Sequence, residues 1–446
     1  LPFTGSIRVL LKTDGFAGLL HEKATFISED GNDLVLTDRD TGETIEEGNR
    51  LELTGEDGVL YLNGEPLDGR PRCLRTEAAE AGIRVASLTR NAGHPVYGGA
   101  LEIWPADEGF YLVNEVPLET YLAYVVPSEM PSGYHMEALK AQAVCARTYA
   151  YQELSTYAYP DCEAHVDDSV SFQVYGNTGR TASTDRAVAE TVGQILTCQG
   201  SPITAYYFST SCGATGNQEV WWDGDQTATP YLAGKTVDAA GEAVDLSKEE
   251  EFNAFLEADH PDGYDADISW YRWETEIDNK TLSENLNQAL AGRIAANPNA
   301  VLTRLGSRLE SRTIKTIGQI RGIDVLERNV GGAVTKLQIR GSRHTIEVST
   351  EYNARALLNV QGGSIRRRDG SRVEGGMLLP SACMRITPLF DEKGELSGWR
   401  FTGGGYGHGV GLSQNGANGM AKQGKGYVEI LHFFYTDVEL TDIREM

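Results

Sequence analysis

Residues 127–151 read PSEMPSGYHMEALKAQAVCARTYAY and contain the clearest helical pattern in the chain. Apolar side chains recur at intervals of three and four residues from Met136 to Ala150, which predicts a helix. Ser132 is a suitable N-cap, so the helix is expected to begin soon after Pro131. Because short strand-like segments surround this helix, the sequence predicts a mixed fold of strands and helices.

Glu129 is the first candidate for chemistry, because it lies between Pro127 and Pro131 just ahead of the predicted helix. Proline fixes φ and removes a donor, so the carboxylate is expected on a rigid, non-helical corner near the positive end of that helix. A general acid needs a fixed position and must keep its proton at neutral pH. An apolar wall would have to outweigh the helix end, and a solvated glutamate in a turn fits the same pattern.

Arg147 lies on a polar stripe of the predicted helix, at position i+7 from Lys140. Its guanidinium could orient a carboxylate or hold a sugar hydroxyl or a lactyl group. The alternative is a structural ion pair with one of the many acidic residues, which the pattern alone favours.

The whole chain is predicted to be α+β, with a β-rich scaffold, a few helices near the candidate residues and an inserted α/β subdomain. Four parts are expected, with a β-rich N-terminal region first and a core in two pieces around the insertion. Their boundaries are residues 1–105 for the N-terminal region, 106–237 for the first core piece, 238–375 for the inserted subdomain and 376–446 for the closing segment.

The composition excludes several classes of protein. Lys and Arg number 39 and Asp and Glu 64, so the net charge of -25 disfavours nucleic acid and anionic membrane surfaces as partners. The 6 cysteines show no CxxC pair, which excludes a dense disulfide framework and leaves one bridge or buried thiols open. No apolar run approaches the roughly 18 residues that a membrane span needs.

Two further segments place polar groups in turns. In YFSTSCG, residues 207–213, a strand runs into a polar turn where the hydroxyls of Ser209 and Ser211 could bind a polar ligand. A plain tight turn is the alternative, and a nucleophile elbow is disfavoured because its flanking glycine is missing.

In GGGYGHGVG, residues 403–411, the glycines would bring His408 close to a cleft, with Gln414 on the next turn. This loop lacks a lysine and a dinucleotide-binding context, so no nucleotide is expected.

Neither a metal nor another cofactor is predicted. Cys162 and His165 are three apart, but the further ligand types nearby, such as Asp167 and Asp168, are all carboxylates. The sequence also has no H-E-x-x-H pattern.

Taken together, these segments resemble the sporulation stage II protein D family, which includes amidase-enhancer proteins. The resemblance covers about residues 100–440, and its most specific part is the combination of PSEMP with LKAQAVCARTY. The segments that carry it are 116–151, 168–175, 187–196, 205–213, 220–221 and 405–414.

The resemblance implies a bacterial, extracytoplasmic lytic transglycosylase. Such an enzyme cuts peptidoglycan glycan strands, preferably stripped of stem peptides, between N-acetylmuramic acid and N-acetylglucosamine, and leaves a 1,6-anhydro end. The family's catalytic glutamate corresponds to Glu129. The residues that match family motifs, and are therefore candidates for substrate binding, are Arg147, Gln173, Tyr175, Ser209, Ser211, His408 and Gln414.

The resemblance also bears on zinc, which some family members bind through Cys and His residues just before a Gln-x-Tyr element. In this chain that position reads DSVSFQ, residues 168–173, without the paired cysteine. No structural zinc is therefore predicted.

Three roles remain open at this point. A lytic enzyme needs only one carboxylate, because the C6 hydroxyl of the substrate can act as the nucleophile. A non-catalytic amidase enhancer would instead grip the glycan and stimulate a partner cell-wall amidase. A scaffold would use the insert 238–375 as its partner surface. The implied location is extracytoplasmic, at the bacterial cell wall or sporulation septum, with the protein secreted or anchored to the membrane through a removed N-terminal segment.

Overall fold

The computed structural model describes residues 5–29, 31–76, 82–221 and 229–445. The chain divides into two compact units, with the boundaries at Ala205/Tyr206 and at Val438/Glu439. The first unit holds the N-terminal part and the last few residues, and the second unit holds everything between. Both units combine strands and helices, which confirms the prediction of a β-rich α+β fold.

The first unit contains two large sheets and one small sheet. Their strands alternate between buried and outward-facing residues, as in Leu34–Asp38, where Leu34 and Leu36 are fully buried. The seven-stranded sheet has the order Val166–Asp167, Ser6–Leu10, Gly109–Pro117, Ala100–Ala106, Arg72–Thr76, Leu34–Asp38 and Thr44–Gly48. The six-stranded sheet has the order Val96–Tyr97, Ile83–Val85, Lys23–Ser28, Arg50–Glu56, Val59–Leu62 and Glu65–Pro66. The small sheet has the order Ser201–Pro202, Gln194–Cys198 and Glu439–Asp442.

Within its described residues, the first unit has three α-helices: α1 (Leu118–Glu129), α2 (Met136–Glu153) and α3 (Ala182–Glu190). α2 confirms the helix predicted from the apolar spacing, but its N-cap is His135 rather than Ser132. The Nδ1 atom of His135 accepts a hydrogen bond of 3.3 Å from the Glu137 N–H. The predicted start is displaced because a turn follows Pro131, closed by a 3.0 Å bond from the Tyr134 N–H to the Pro131 carbonyl.

The position of Glu129 corrects the prediction of a non-helical corner ahead of a helix, because Glu129 is the last residue of α1. Pro127 lies inside the last turn of α1, and Met130 is extended, as expected for a residue before a proline. The carboxylate therefore lies at the C-terminal, partly negative end of a helix and not at a positive end. Two prolines still restrict the backbone around it, as the sequence indicates.

The second unit contains two five-stranded sheets and one pair of parallel strands. The first sheet has the order Arg372–Glu374, Ser364–Arg367, Trp273–Asp278, Leu396–Gly403 and Met384–Phe390. The second sheet has the order Arg308–Glu310, Val301–Leu305, Thr345–Ser349, Val334–Gly341 and Ile320–Arg328. In the sequence, residues 334–340 and 344–350 alternate around Gly341-Ser342-Arg343, which predicts a hairpin. That hairpin lies in this second sheet, where Ile339 pairs with Ile346. The parallel pair joins Tyr207–Phe208 to Leu412–Ser413.

Five helices of the second unit lie within the described residues: α4 (Glu249–Glu257), α5 (Asn279–Ala296), α6 (Glu351–Leu357), α7 (Gln414–Lys422) and α8 (Tyr427–Phe434). In the part of the chain that the structure describes, we find no helix whose length and apolar character would let it span a membrane.

The two units do not follow the four-part division expected from composition. The boundary at residue 205 falls inside the predicted segment 106–237, and the strand Glu439–Asp442 pairs with Gln194–Cys198 in the first unit. Composition does not report which distant segments form a common sheet. The domain boundaries at 105, 237 and 375 therefore stay predictions.

Candidate functional site

The predicted site residues lie in both units, and each group is described within its own unit. In the first unit, Glu129 is half-buried and its Oε1 atom accepts a 2.7 Å hydrogen bond from the Val174 N–H. The adjacent Ser128 hydroxyl donates to the Tyr124 carbonyl at 2.7 Å and accepts from the Thr178 N–H at 3.1 Å. These bonds tie the end of α1 to the segment that follows Gln173, so the carboxyl group is held at a defined position.

The anchoring of Glu129 has a chemical consequence. A peptide N–H can only donate, so the Oε1 atom that meets the Val174 N–H acts as an acceptor in either protonation state. Because a carbonyl oxygen accepts a hydrogen bond better than a hydroxyl oxygen, this bond favours a proton on Oε2 over one on Oε1. The arrangement is suited to a group that gives up and regains one proton without moving.

Gln173 and Tyr175 are brought close to Glu129 by that same segment, but both side chains are buried. The Gln173 amide accepts from the Tyr121 hydroxyl at 3.2 Å and donates to the Ala146 carbonyl at 3.3 Å, which joins α1 to α2. The Tyr175 hydroxyl donates to Asn114 Oδ1 at 2.6 Å. Burial holds the pKa of Tyr175 well above its ordinary value. In this structure the two residues support the position of Val174 from inside the first unit.

Arg147 is fully buried in an ion pair with Glu119, at 2.7 Å from Nε to Oε1 and 2.8 Å from Nη2 to Oε2. The guanidinium also donates to the carbonyls of Val188 and Gln194, each at 3.2 Å. This geometry matches the ion pair weighed as the alternative for Arg147, and it holds α1 against α2 and the end of α3.

In the second unit, the glycine-rich loop brings His408 against aromatic rings. The ring centres of Trp221, Phe208 and Tyr206 lie 5.0, 5.5 and 6.1 Å from that of His408. The His408 Nε2 atom lies 2.9 Å from the Tyr207 carbonyl, and Nδ1 accepts from the Val410 N–H at 3.2 Å. These contacts assign the proton of the neutral ring to Nε2. Burial, aided by the charge of Arg355, lowers the pKa of His408 to about 4.

Two glycines of this loop are needed for the approach. Gly405 and Gly411 have φ of 83° and 78°, in the left-handed region that glycine favours. A Cβ atom on Gly411 would lie 2.0 Å from the Tyr206 carbonyl oxygen, and one on Gly405 would lie 2.8 Å from that of Thr210. These two glycines let the loop pass close to neighbouring backbone. That the loop brings His408 close to a cleft stays a prediction.

Ser209, Ser211 and Gln414 lie where the polar turn meets the start of α7. Gln414 is the first residue of α7, and the N–H of the next residue, Asn415, donates to the Ser209 carbonyl at 3.0 Å. Ser211 is buried, and its hydroxyl donates to Asp265 Oδ1 at 2.9 Å. Ser209 is the more exposed of the two serines.

Asp265 joins the two motif segments of the second unit, although nothing in the sequence singled it out. Its Oδ2 atom accepts from the Ser211 N–H at 2.8 Å and from the Ser413 hydroxyl at 2.7 Å. The side chain is fully buried, and this burial raises its pKa. One aspartate in a chain with 64 acidic residues carries no pattern that could have identified it.

Metal ligands do not cluster in the part of the chain that the structure describes, since no group of three or more His, Cys, Asp or Glu side chains is placed to hold an ion. The Cys162 thiol faces the Tyr159 carbonyl, and His165 Nδ1 accepts from the Arg8 N–H at 3.1 Å. None of the six cysteines, all of which lie in the described residues, forms a disulfide bond.

Comparison with known proteins matches two regions of the chain. A family model described as a stage II sporulation protein matches residues 106–198, and a domain of unknown function matches residues 216–411. The amidase enhancer of Bacillus subtilis (strain 168) is 31% identical over 322 residues, which are 71% of this chain and 40% of that protein. The matched part thus spans less than half of the enhancer.

Two relatives of more similar length carry another name. Stage II sporulation protein D of Bacillus subtilis (strain 168) is 29% identical over 345 residues, which are 74% of this chain and 76% of that protein. The protein of the same name from Bacillus amyloliquefaciens is 29% identical over 344 residues, with the same coverage of both chains.

Proposed function

This chain belongs to the stage II sporulation protein D family, and we propose that it is a lytic transglycosylase of the bacterial cell wall. Its substrate would be peptidoglycan glycan strands without stem peptides, and its location would be outside the cytoplasm, at the wall or the sporulation septum. The single observation that supports this proposal best is the half-buried carboxyl group of Glu129, held through Oε1 by the Val174 N–H.

In the proposed reaction, the Oε2 proton of Glu129 passes to the glycosidic oxygen as the bond from C1 of N-acetylmuramic acid breaks. The positive charge that develops at C1 faces the carboxylate left behind. The C6 hydroxyl of the same sugar attacks C1 and returns its proton to Oε2, which closes the 1,6-anhydro ring. One bond breaks, one forms and the carboxyl group is restored, so no water and no second acid are consumed.

Asp168 is the acid that a two-carboxylate hydrolase would need next, and its surroundings argue against that role. Its side chain is fully buried and pairs with Arg90 at 2.7 Å. This supports a mechanism with one carboxylate over one with two.

The test is mass spectrometry of peptide-free glycan strands after incubation with the native protein and with Glu129→Gln. The native protein is expected to release anhydro-ended saccharides, and the amide variant is expected to be slower by a factor of about 100 or more. Glu108→Gln, which changes an exposed carboxylate of the same unit, is the matched control and should keep native activity. Products with reducing ends, or equal rates for Glu129→Gln, would refute the proposal.

A second candidate is a glycan-binding amidase enhancer without activity of its own, favoured by the 31% identity to the protein of that name. It predicts that the native protein leaves strands uncut yet stimulates a cell-wall amidase. It also predicts that Glu129→Gln stimulates equally well. An amidase assay with both proteins therefore separates the two candidates.

A further inference from the structure

In the second unit, two aromatic side chains lie beside an arginine. The rings of Trp270 and Tyr406 lie 4.9 Å apart and are tilted by 52°. The side chain of Tyr406 is 43% exposed. The guanidinium carbon of Arg367 lies 5.1 Å from the centre of the Trp270 ring. None of these three residues has a role in the proposed chemistry.

The backbone around the two rings is fixed by hydrogen bonds. Tyr406 and Thr210 exchange both backbone bonds, at 2.8 and 3.1 Å, and the Gly405 N–H donates to the Trp270 carbonyl at 2.9 Å. Tyr406 therefore lies beside the polar turn that carries Ser209 and two residues before His408. The ring pair is a rigid extension of the loop that holds the sequence-predicted residues of this unit.

Arg367 belongs to a basic hairpin, which is notable in a chain with a net charge of -25. The strands Ser364–Arg367 and Arg372–Glu374 carry the sequence SIRRRDGSRVE. Arg366 is paired with Glu274 at 2.9 Å, and Arg368 bonds to the Ala266 carbonyl. These neighbours have protein partners that occupy their charges.

Arg367 differs from its neighbours because it forms no ion pair with a carboxylate of the described residues. Its Nε atom donates to the Ser371 hydroxyl at 2.9 Å, and the planar group otherwise lies over Trp270. The adjacent Asp369 carboxylate accepts from the Ser371 N–H at 2.9 Å and from the Ser371 hydroxyl. These bonds, with a smaller contribution from the charge of Arg367, lower the pKa of Asp369. The guanidinium thus keeps donors that could bind an anion in a bidentate manner.

We propose that Trp270, Tyr406 and Arg367 form a subsite for one acidic sugar of a glycan strand. The apolar face of a pyranose ring would pack on Tyr406 with Trp270 as a side wall, and the free lactyl carboxylate of a muramic acid would bind Arg367. The ring and guanidinium distances place Tyr406 and Arg367 within about 10 Å of each other, which a hexose with a three-carbon acid substituent can span. An aromatic face also suits the weakly positive C–H bonds of a sugar.

This subsite deepens the proposed function, on which it rests for the class of substrate, and it adds a reason for a preference for stripped strands. In an intact wall the lactyl group is joined to the stem peptide as an amide and carries no charge of its own. After the peptide is removed, the carboxylate becomes available to Arg367. Charge recognition at this position would therefore distinguish stripped from substituted muramic acid.

The test measures binding by titration calorimetry in the full chain carrying Glu129→Gln, which prevents cutting. The probes are a peptide-free tetrasaccharide of alternating N-acetylglucosamine and N-acetylmuramic acid, and chitotetraose, which lacks the lactyl group. Arg367→Gln is expected to weaken binding of the first probe about tenfold and leave chitotetraose unchanged. Tyr406→Leu, which keeps an apolar side chain, should weaken binding of both.

Arg340→Gln is the matched control, because it removes one exposed arginine from the other five-stranded sheet of the same unit. It should leave both affinities unchanged, and thermal unfolding of each variant verifies that it is folded. The inference is overturned if Arg367→Gln has no effect on the muramic probe or weakens both probes equally. The binding results could follow the prediction while the native protein produces no anhydro ends. That outcome would support the subsite and refute only the lytic mechanism.

Discussion

Two buried aspartates hold the motif segments of the two units, and their negative charges are compensated in different ways. In the first unit, Asp168 begins the segment that leads to Gln173 and is paired with the guanidinium of Arg90. In the second unit, Asp265 joins Ser211 to Ser413 and receives only hydroxyl and peptide donors from them.

The difference shows that burial alone does not set the free-energy cost of a charged carboxylate inside the protein. Burial raises the pKa of Asp168 to about 6 even though Arg90 opposes the shift. Burial also raises the pKa of Asp265, where the opposing groups are neutral donors. Removing one partner of a buried ion pair leaves an unpaired charge and strongly lowers the free energy of unfolding. Removing one donor from a network of neutral donors costs a single hydrogen bond.

The largest effect is expected from Arg90→Met, which would leave Asp168 buried without its cation. The free energy of unfolding should fall by about 3–5 kcal/mol at pH 7. Because the folded pKa of Asp168 is raised, the carboxyl group is neutral at lower pH, so this loss should shrink towards pH 5. Denaturant unfolding at the two pH values measures it.

The double variant Arg90→Met with Asp168→Asn provides the control for that experiment. It removes the charge together with its partner, so it should recover most of the lost stability. A double variant as unstable as Arg90→Met alone would mean that the packing of Arg90 over Phe16, and not its charge, accounts for the loss.

A smaller effect is expected from Asp265→Ala, which removes the acceptor of the Ser211 N–H and of two hydroxyls. Leaving these buried donors unpaired should cost about 2 kcal/mol. Asp265→Asn keeps part of the network and should cost less. Since the folded pKa of Asp265 is raised, native stability should decline as pH rises through that pKa, and this decline should be absent in Asp265→Asn. If both proteins show the same pH profile, the buried carboxyl group is not the cause.

The effect that is smallest at pH 7 concerns His408, whose pKa is lowered to about 4 in the folded protein. The unfolded chain binds a proton first as the pH falls below 6.5, so native stability should decline between there and pH 4. His408→Gln retains a donor for the Tyr207 carbonyl and should lessen this decline by up to about 1 kcal/mol per pH unit. Unfolding of both proteins from pH 7 to pH 4 provides the comparison, and parallel curves would contradict it.

Much of the fold could be predicted from local patterns. The apolar spacing of residues 136–150 identified α2, and alternation with a glycine turn identified the hairpin of residues 334–350. α1 was not predicted, because Val125, Val126 and Pro127 disfavour a helix when they are considered alone. Packing of its buried face in the first unit overrides those preferences.

The sequence by itself determined the α+β class, the family, the proline-restricted setting of Glu129 and the need for glycines around His408. These depend on residue types at fixed spacings, which local sterics translate directly into structure. Only the tertiary structure decided that Glu129 lies at the end of α1 and that Arg147 forms an ion pair with Glu119. The same holds for Asp265, which joins Ser211 to Ser413. Each of these depends on which distant segments meet, because hydrogen bonds and ion pairs act over a few ångströms of space and not along the chain.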